Sequence, residues 1–82
     1  MKARVTVTLK TGILDPQGKA IEGALASLGF AGVAGVRQGK IFDIELADTR
    51  NAQVRLRAMC EKLLANLVIE DFRIELADRD PA

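Results

Sequence analysis

The 82-residue sequence contains no histidine, tryptophan or tyrosine and has a single cysteine, Cys60. One cysteine cannot form a disulfide within the chain, and without histidine it lacks the partner of a catalytic dyad or a common zinc site. We therefore interpret Cys60 as a small buried hydrophobe. These absences argue against catalysis by this chain acting alone, and we predict no catalytic residues, no bound cofactor and no metal site.

The charge and apolar patterns restrict the partners. Twelve basic and eleven acidic side chains leave a formal net charge of +1, which gives no general attraction to nucleic acid. The apolar runs, such as residues 63–65 and 67–69, are far shorter than the ~20 residues needed to span a bilayer. We expect a cytoplasmic protein that has neither a nucleic acid nor a membrane as its partner.

Periodicity predicts six elements in one domain, residues 1–77, followed by a short frayed tail, residues 78–82. Residues 3–10 and 40–46 alternate apolar with polar, as strands do. The remaining predicted elements are a helix over 15–28, a glycine-interrupted strand over 33–37 that forms a hairpin with 40–46, a helix capped at Asp48-Thr49 and ended by Asn66, and a strand over 68–77.

This β-α-β-β-α-β order predicts an α+β fold, the ferredoxin-like plait: a four-stranded antiparallel sheet with two helices on one face. The first strand should then lie in the middle of the sheet. Its Arg4 and Lys10 would meet acidic side chains on both neighbours, namely Asp43, Glu45, Asp71 and Glu75. Aromatic rings are absent from that open face, and this argues against base stacking with RNA.

The first helix combines good capping chemistry with an unexpected glycine. Asp15 and Pro16 are suited to the helix start, whereas Gly18 costs roughly 1 kcal/mol relative to alanine within the first turn. The positions Ala20, Gly23, Ala24 and Ser27 form a strip of small residues. Such a strip fits either close packing on the sheet or close contact with another chain.

Several segments at matching distances resemble one family. They are V-x-V-x-L-K (5–10), I-L-D-P-Q-G-K-A-I (13–21), A-L-x-x-L-G-F (24–30), V-R-Q-G-K (36–40) and L-L-A-N (63–66). Together they resemble PurS, the small subunit of the phosphoribosylformylglycinamidine synthase complex of purine biosynthesis. The resemblance covers nearly the whole chain and departs at Leu67, where the family pattern leads us to expect proline.

The resemblance implies a non-catalytic accessory role in an ATP- and glutamine-dependent C–N ligase complex. A glutaminase subunit of that complex releases ammonia, and a large synthetase subunit uses it together with ATP and Mg. The small subunit is expected to form a homo-dimer or higher homo-oligomer, to bridge these two partners and to assist ammonia transfer. Keeping the ammonia out of bulk water is useful, because in neutral water ammonia is mostly protonated and the ammonium ion is not a nucleophile.

The turn before the first helix is our candidate subunit interface, with the residues Gly12, Asp15, Pro16, Gln17 and Gly18. A second hypothesis of another class starts from the same turn. Small-molecule-binding ACT domains carry a similar turn, where the N–H groups of a helix start receive a ligand carboxylate. In this chain Asp15 is placed to occupy those donors itself.

Overall fold

The computed structural model describes residues 1–77, so the predicted tail over 78–82 lies outside the described residues. The elements run in the order β-α-β-α-β, with a π-helical turn after the second helix. Their bounds are β1 Lys2–Leu9, α1 Pro16–Ser27, β2 Gly39–Glu45, α2 Ala52–Met59, the π-helical turn Cys60–Leu64 and β3 Glu70–Ala77.

The three strands form an antiparallel sheet in the order β2-β1-β3, so the central position predicted for the first strand is confirmed. The predicted charge pairs form across it: Arg4 Nε lies 2.8 Å from Asp43 Oδ1, and Lys10 Nζ lies 2.7 Å from Asp71 Oδ1. Exposed pairs of this kind contribute little to stability, about 0 to 1 kcal/mol. Their value is that they agree with a single strand register.

The core lies between the other face of the sheet and the second helix. Val5 and Val7 of β1 are fully buried, as are Leu56 of α2 and Cys60 of the π-helical turn. Alternation along β1 and helical spacing along α2 place these side chains on facing surfaces. The interpretation of Cys60 as a buried hydrophobe is therefore confirmed.

The strand predicted over 33–37 does not form, and the sheet of the described chain has three strands instead of four. Gly32 has φ +85° and Gly35 offers no side chain, so the segment has little preference for extended pairing. The end of the segment also lies against α1, because the Val36 carbonyl faces Gly18 and the next amide but one, Gln38 N, donates to Asp15. The predicted hairpin with residues 40–46 is consequently absent.

The prediction that both helices cover one face of the sheet is also wrong for this chain, because α1 projects from the sheet. Ile21 and Leu28 on its apolar side are 40% and 73% exposed. The radius of gyration is 15.9 Å, compared with about 12 Å for a globular domain of this length. Helix α1 is held at its first turn, and a face with Ala20 and Ala24 offers little apolar area to draw it onto the sheet.

The second helix begins later than its predicted cap. Asp48 accepts from Arg50 N at 3.0 Å instead of from the helix, and Asn51, with φ +50°, precedes Ala52. The Ala65 N–H then bonds to the Cys60 carbonyl at 2.9 Å, an i to i−5 closure. This extra residue in the turn shifts the helical phase, so that Leu63 is 81% exposed although it lies seven residues, or about two turns, after the buried Leu56.

Candidate functional site

The carboxylate of Asp15 joins two segments that are distant in sequence. Its Oδ1 accepts from Gly18 N at 2.9 Å, which is the predicted N-cap bond of α1. Its Oδ2 accepts from Gln38 N at 2.8 Å, just before β2. These two backbone donors, that of Gln38 first, hold the pKa of the Asp15 carboxyl below its ordinary value.

Gly18 is the one buried residue of α1. A Cβ atom at this position would lie well inside 3.0 Å from the Val36 carbonyl oxygen and from Asp15 Oδ2. The close neighbour of Gly18 is therefore the backbone of its own chain. This contact explains a glycine in the first turn of an otherwise well-capped helix.

The other members of the predicted interface surround this contact. Gly12 has φ +89°, a conformation that favours glycine, and it is exposed. Pro16 and Gln17 are exposed at the start of α1, and Asp15 is half-buried. Sequence reasoning missed Val36 and Gln38, because no local pattern shows which loop backbone a distant helix start will meet.

The exposed side of α1 carries a narrow stripe of one polar residue followed by three apolar residues. Its members, spaced four, three and four residues apart, are Gln17, Ile21, Ala24 and Leu28, here called the α1 stripe. This spacing resembles the seam of a two-helix contact. The small residues Ala20, Gly23, Ala24 and Ser27 are exposed as well, so in this chain they do not pack on the sheet.

The end of α1 matches its sequence pattern. Gly29, at φ +92°, follows the cap residue Leu28. The amides of Gly29 and Phe30 bond to the carbonyls of Ala26 and Leu25, which is the Schellman arrangement. The apolar side chain of Phe30, which follows Gly29, is 58% exposed.

An open cavity of about 530 Å³ lies beside the turn that leads into α1. Its charged side chains are already paired, since Lys10 contacts Asp71 and Lys19 lies 3.5 Å from Glu22. Asp15 also occupies a helix-start donor that an ACT-like ligand carboxylate would need. The geometry thus disfavours a small-molecule site at this turn.

Residues 1–77 contain no cluster of histidine, cysteine or acidic side chains able to hold a metal ion. Among the same residues, none of the helices is both long and apolar enough to cross a bilayer. The acidic side chains of Asp43 and Glu45 lie in ion pairs with Arg4 and Lys2. These two carboxylates are therefore cross-strand partners of basic residues on β1.

Fold and site together define a small α+β protein with an exposed helix. The chain matches, over residues 2–78, the model of the family described as PurS: Phosphoribosylformylglycinamidine (FGAM) synthase. It belongs to the PurS family of FGAM synthase subunits in purine biosynthesis.

Relatives and solved structures agree with this assignment. The chain is 52% identical to the phosphoribosylformylglycinamidine synthase subunit PurS of Mycobacterium leprae over 73 residues, which cover 89% of this chain and 91% of that protein. The crystal structure of Methanocaldococcus jannaschii PurS superposes with a TM-score of 0.85 at 39% identity, over 96% of this chain and 98% of that one. A chain of the Thermotoga maritima PurLQS structure matches with a TM-score of 0.78 at 28% identity, over 90% and 93%.

Proposed function

We propose that this chain is the non-catalytic subunit that joins a glutaminase subunit to an ATP-dependent synthetase subunit in the FGAM synthase complex. The observation that carries the proposal is the family membership together with the match to a chain of the Thermotoga maritima PurLQS structure. The described residues support it, because Ile21 and Leu28 on one side of α1 are exposed and available for contact with another subunit. Assisting ammonia transfer between the partners is part of this role, and ATP and Mg are used by the synthetase.

Self-association through α1 is part of the same proposal. The chain exposes 6010 Å² of accessible surface, about a quarter more than the ~4,800 Å² expected of a globular monomer of 8.9 kDa. A standard interface buries about 800 Å² on each partner. A second copy packed on the α1 stripe would cover side chains that a monomer leaves in water.

The polar face and the edge of the sheet are weaker candidates for the contact between copies. Ion pairs such as Arg4 with Asp43 already satisfy the charges of the polar face. The outer edge of β2 has no strand beside it among residues 1–77, and a strand from a second copy would complete the four-stranded plait that the sequence predicts. We favour α1 because Ile21, Ala24 and Leu28 are exposed along one side of it.

Reconstitution tests the accessory role. Synthetase and glutaminase are assayed for FGAM formation with and without this chain, in the presence of glutamine and Mg-ATP. We expect glutamine-dependent activity to require the chain, and a pull-down to recover both partners under turnover conditions. Ammonium chloride in place of glutamine is the matched control, since it supplies the synthetase directly and should remove the requirement. Glutamine-dependent activity that never depends on the chain would refute the proposal.

A further inference from the structure

The hydrogen bonds that tie helix α1 to a distant segment of the chain lie at its first turn. Asp15 is bonded to Gly18 N at the helix start and to Gln38 N in the segment before β2, at 2.9 and 2.8 Å. The Arg37 guanidinium donates to the Leu9 carbonyl, so that segment is tied in turn to the end of β1. A continuous set of hydrogen bonds therefore links the sheet to the first turn of α1.

Gly18 sets how closely the helix approaches this anchor. With no side chain, the first turn of α1 lies directly against the Val36 carbonyl, where a Cβ would force the two backbones apart. Gly23 lies five residues further along the same helix, and a Cβ atom added there would have nothing within 4 Å. The close approach is thus confined to the anchored end of α1.

The free part of α1 amplifies any change at this anchor. Twelve residues make a helix about 18 Å long, so a 20° change of direction at its base displaces its far end by roughly 6 Å. Leu28 lies at that far end and is 73% exposed. Packing along the helix gives its direction little support, because Ile21 and Ala24 are exposed too and only Glu22 and Leu25 beyond the first turn are half-buried.

We propose that Asp15 and Gly18 are positioning residues for assembly: they fix the direction in which α1 projects, and thereby the geometry in which the α1 stripe meets a second copy. The inference rests on the proposed self-association through α1. It assigns the two residues a role that differs from direct contact with the partner.

The chemistry of the anchor requires a carboxylate. Two N–H donors approach Asp15 from two segments, and each of its oxygens accepts one of them. An asparagine has a single carbonyl oxygen, so Asp15→Asn can keep the helix cap or the bond to Gln38, and its NH₂ group would face the other N–H. This variant preserves size and a good capping residue while removing the link.

The test measures the direction of α1 in the full chain. Spin labels are attached at Ala26→Cys on α1 and Arg73→Cys on β3, both exposed positions, with buried Cys60 left in place and a sample lacking the two new cysteines as the labelling control. Labelled chains are mixed with a tenfold excess of unlabelled chain, so that the distances measured by pulsed electron resonance are those within one chain. Light scattering of the unlabelled variants gives the association state, and circular dichroism gives the helix content.

We expect Asp15→Asn and Gly18→Ala to shift or broaden the label distance at unchanged helix content, and to raise the dissociation constant of self-association at least tenfold. Gly23→Ala should leave the label distance unchanged. An Asp15→Asn distance distribution identical to that of the wild type would overturn the positioning role, whatever the association state. A wild-type chain that stays monomeric at every concentration would instead refute self-association, and with it the assembly half of the inference, while the label distances still report whether Asp15 holds the helix.

Discussion

Gly18 packs against the carbonyl oxygen of Val36, a residue 18 positions further along the chain, at a distance that leaves no room for a Cβ atom. The first turn of α1 is therefore fitted to a loop backbone. This fit is the physical reason for a residue that costs helix stability in an otherwise well-capped helix.

Gly18→Ala and Gly23→Ala form a matched pair within one helix. Alanine favours the helix at both positions, but only at Gly18 would the added Cβ collide with backbone. We expect Gly23→Ala to raise the free energy of unfolding by about 0.4 to 1 kcal/mol, and Gly18→Ala to lower it by about 1 to 3 kcal/mol. Urea denaturation followed by circular dichroism measures both, and two stabilised variants would contradict the close contact.

Asp15 should make the stability depend on pH in the acid range. Its pKa is held below the ordinary value of 3.8 in the folded chain, first by the Gln38 amide and then by the Gly18 amide. The ionised group therefore stabilises the fold fully above the unfolded pKa, and this contribution is lost as the pH falls through the lower folded pKa.

The stability difference between the wild type and Asp15→Asn should accordingly be largest at neutral pH and narrow below pH 3.8. Urea midpoints measured from pH 7 downward check this. If the stability difference between the two proteins does not change with pH, the two amides do not stabilise the charged form of Asp15. The same urea midpoints measured in moderate salt are a control. Asp15 is half-exposed, and salt screens ion pairs more than it weakens hydrogen bonds to backbone amides, so the pH dependence should remain.

The α1 stripe gives a direct test of association. Ile21→Glu with Leu28→Glu would place charges in a contact that needs apolar surface, and we expect the mass measured by light scattering to fall to that of a single chain. The fold should be retained, because both side chains are exposed in the single chain. Val54→Glu is the control, since Val54 is an exposed apolar residue of α2 outside the stripe. Equal disruption by the control would point to a different interface.

The core depends on Leu56, and its neighbour Val54 again provides the comparison. Leu56 is fully buried between α2 and the sheet, whereas Val54 is 69% exposed on the same helix. We expect Leu56→Ala to lower the free energy of unfolding by about 2 to 5 kcal/mol and Val54→Ala to change it by about 0.5 kcal/mol or less. Chemical denaturation checks both, and similar effects of the two variants would contradict the assignment of the core face.

The thiol of Cys60 should react slowly in the folded chain. Burial raises the pKa of its thiol above the ordinary value, so less thiolate is present at neutral pH, and access is blocked as well. A thiol reagent such as DTNB should react slowly in buffer and rapidly in denaturant. Fast reaction of the native chain would show that the sheet and the π-helical turn separate readily.

Local patterns predicted much of this fold. Alternation located β1, β2 and β3 to within two residues at each end, and Asp15 and Gly29 marked the ends of α1 because capping depends on neighbouring residues alone. Opposite charges on three strands also indicated the central place of β1. The family resemblance added the PurS assignment, which composition and spacing could not supply.

The turn before β3 forms without the proline that the family pattern leads us to expect at Leu67. In place of the proline expected at this position, the turn is organised by Asn66, whose side chain accepts from Val68 N and whose carbonyl accepts from the amides of Ile69 and Glu70. An asparagine can stabilise such a turn by itself. The departure at Leu67 therefore leaves the entry into β3 intact.

The sequence by itself determined the positions of the three strands and of α1, the buried face of β1 and the caps of α1, because these depend on spacing and on neighbours along the chain. Only the tertiary structure decided that residues 33–37 stay out of the sheet and that α1 projects with its apolar side exposed. The two segments meet in one long-range contact, in which Asp15 and Gly18 engage the backbone of residues 36–38. Every residue has the same backbone atoms, so no sequence pattern predicts which loop backbone will contact the start of the helix.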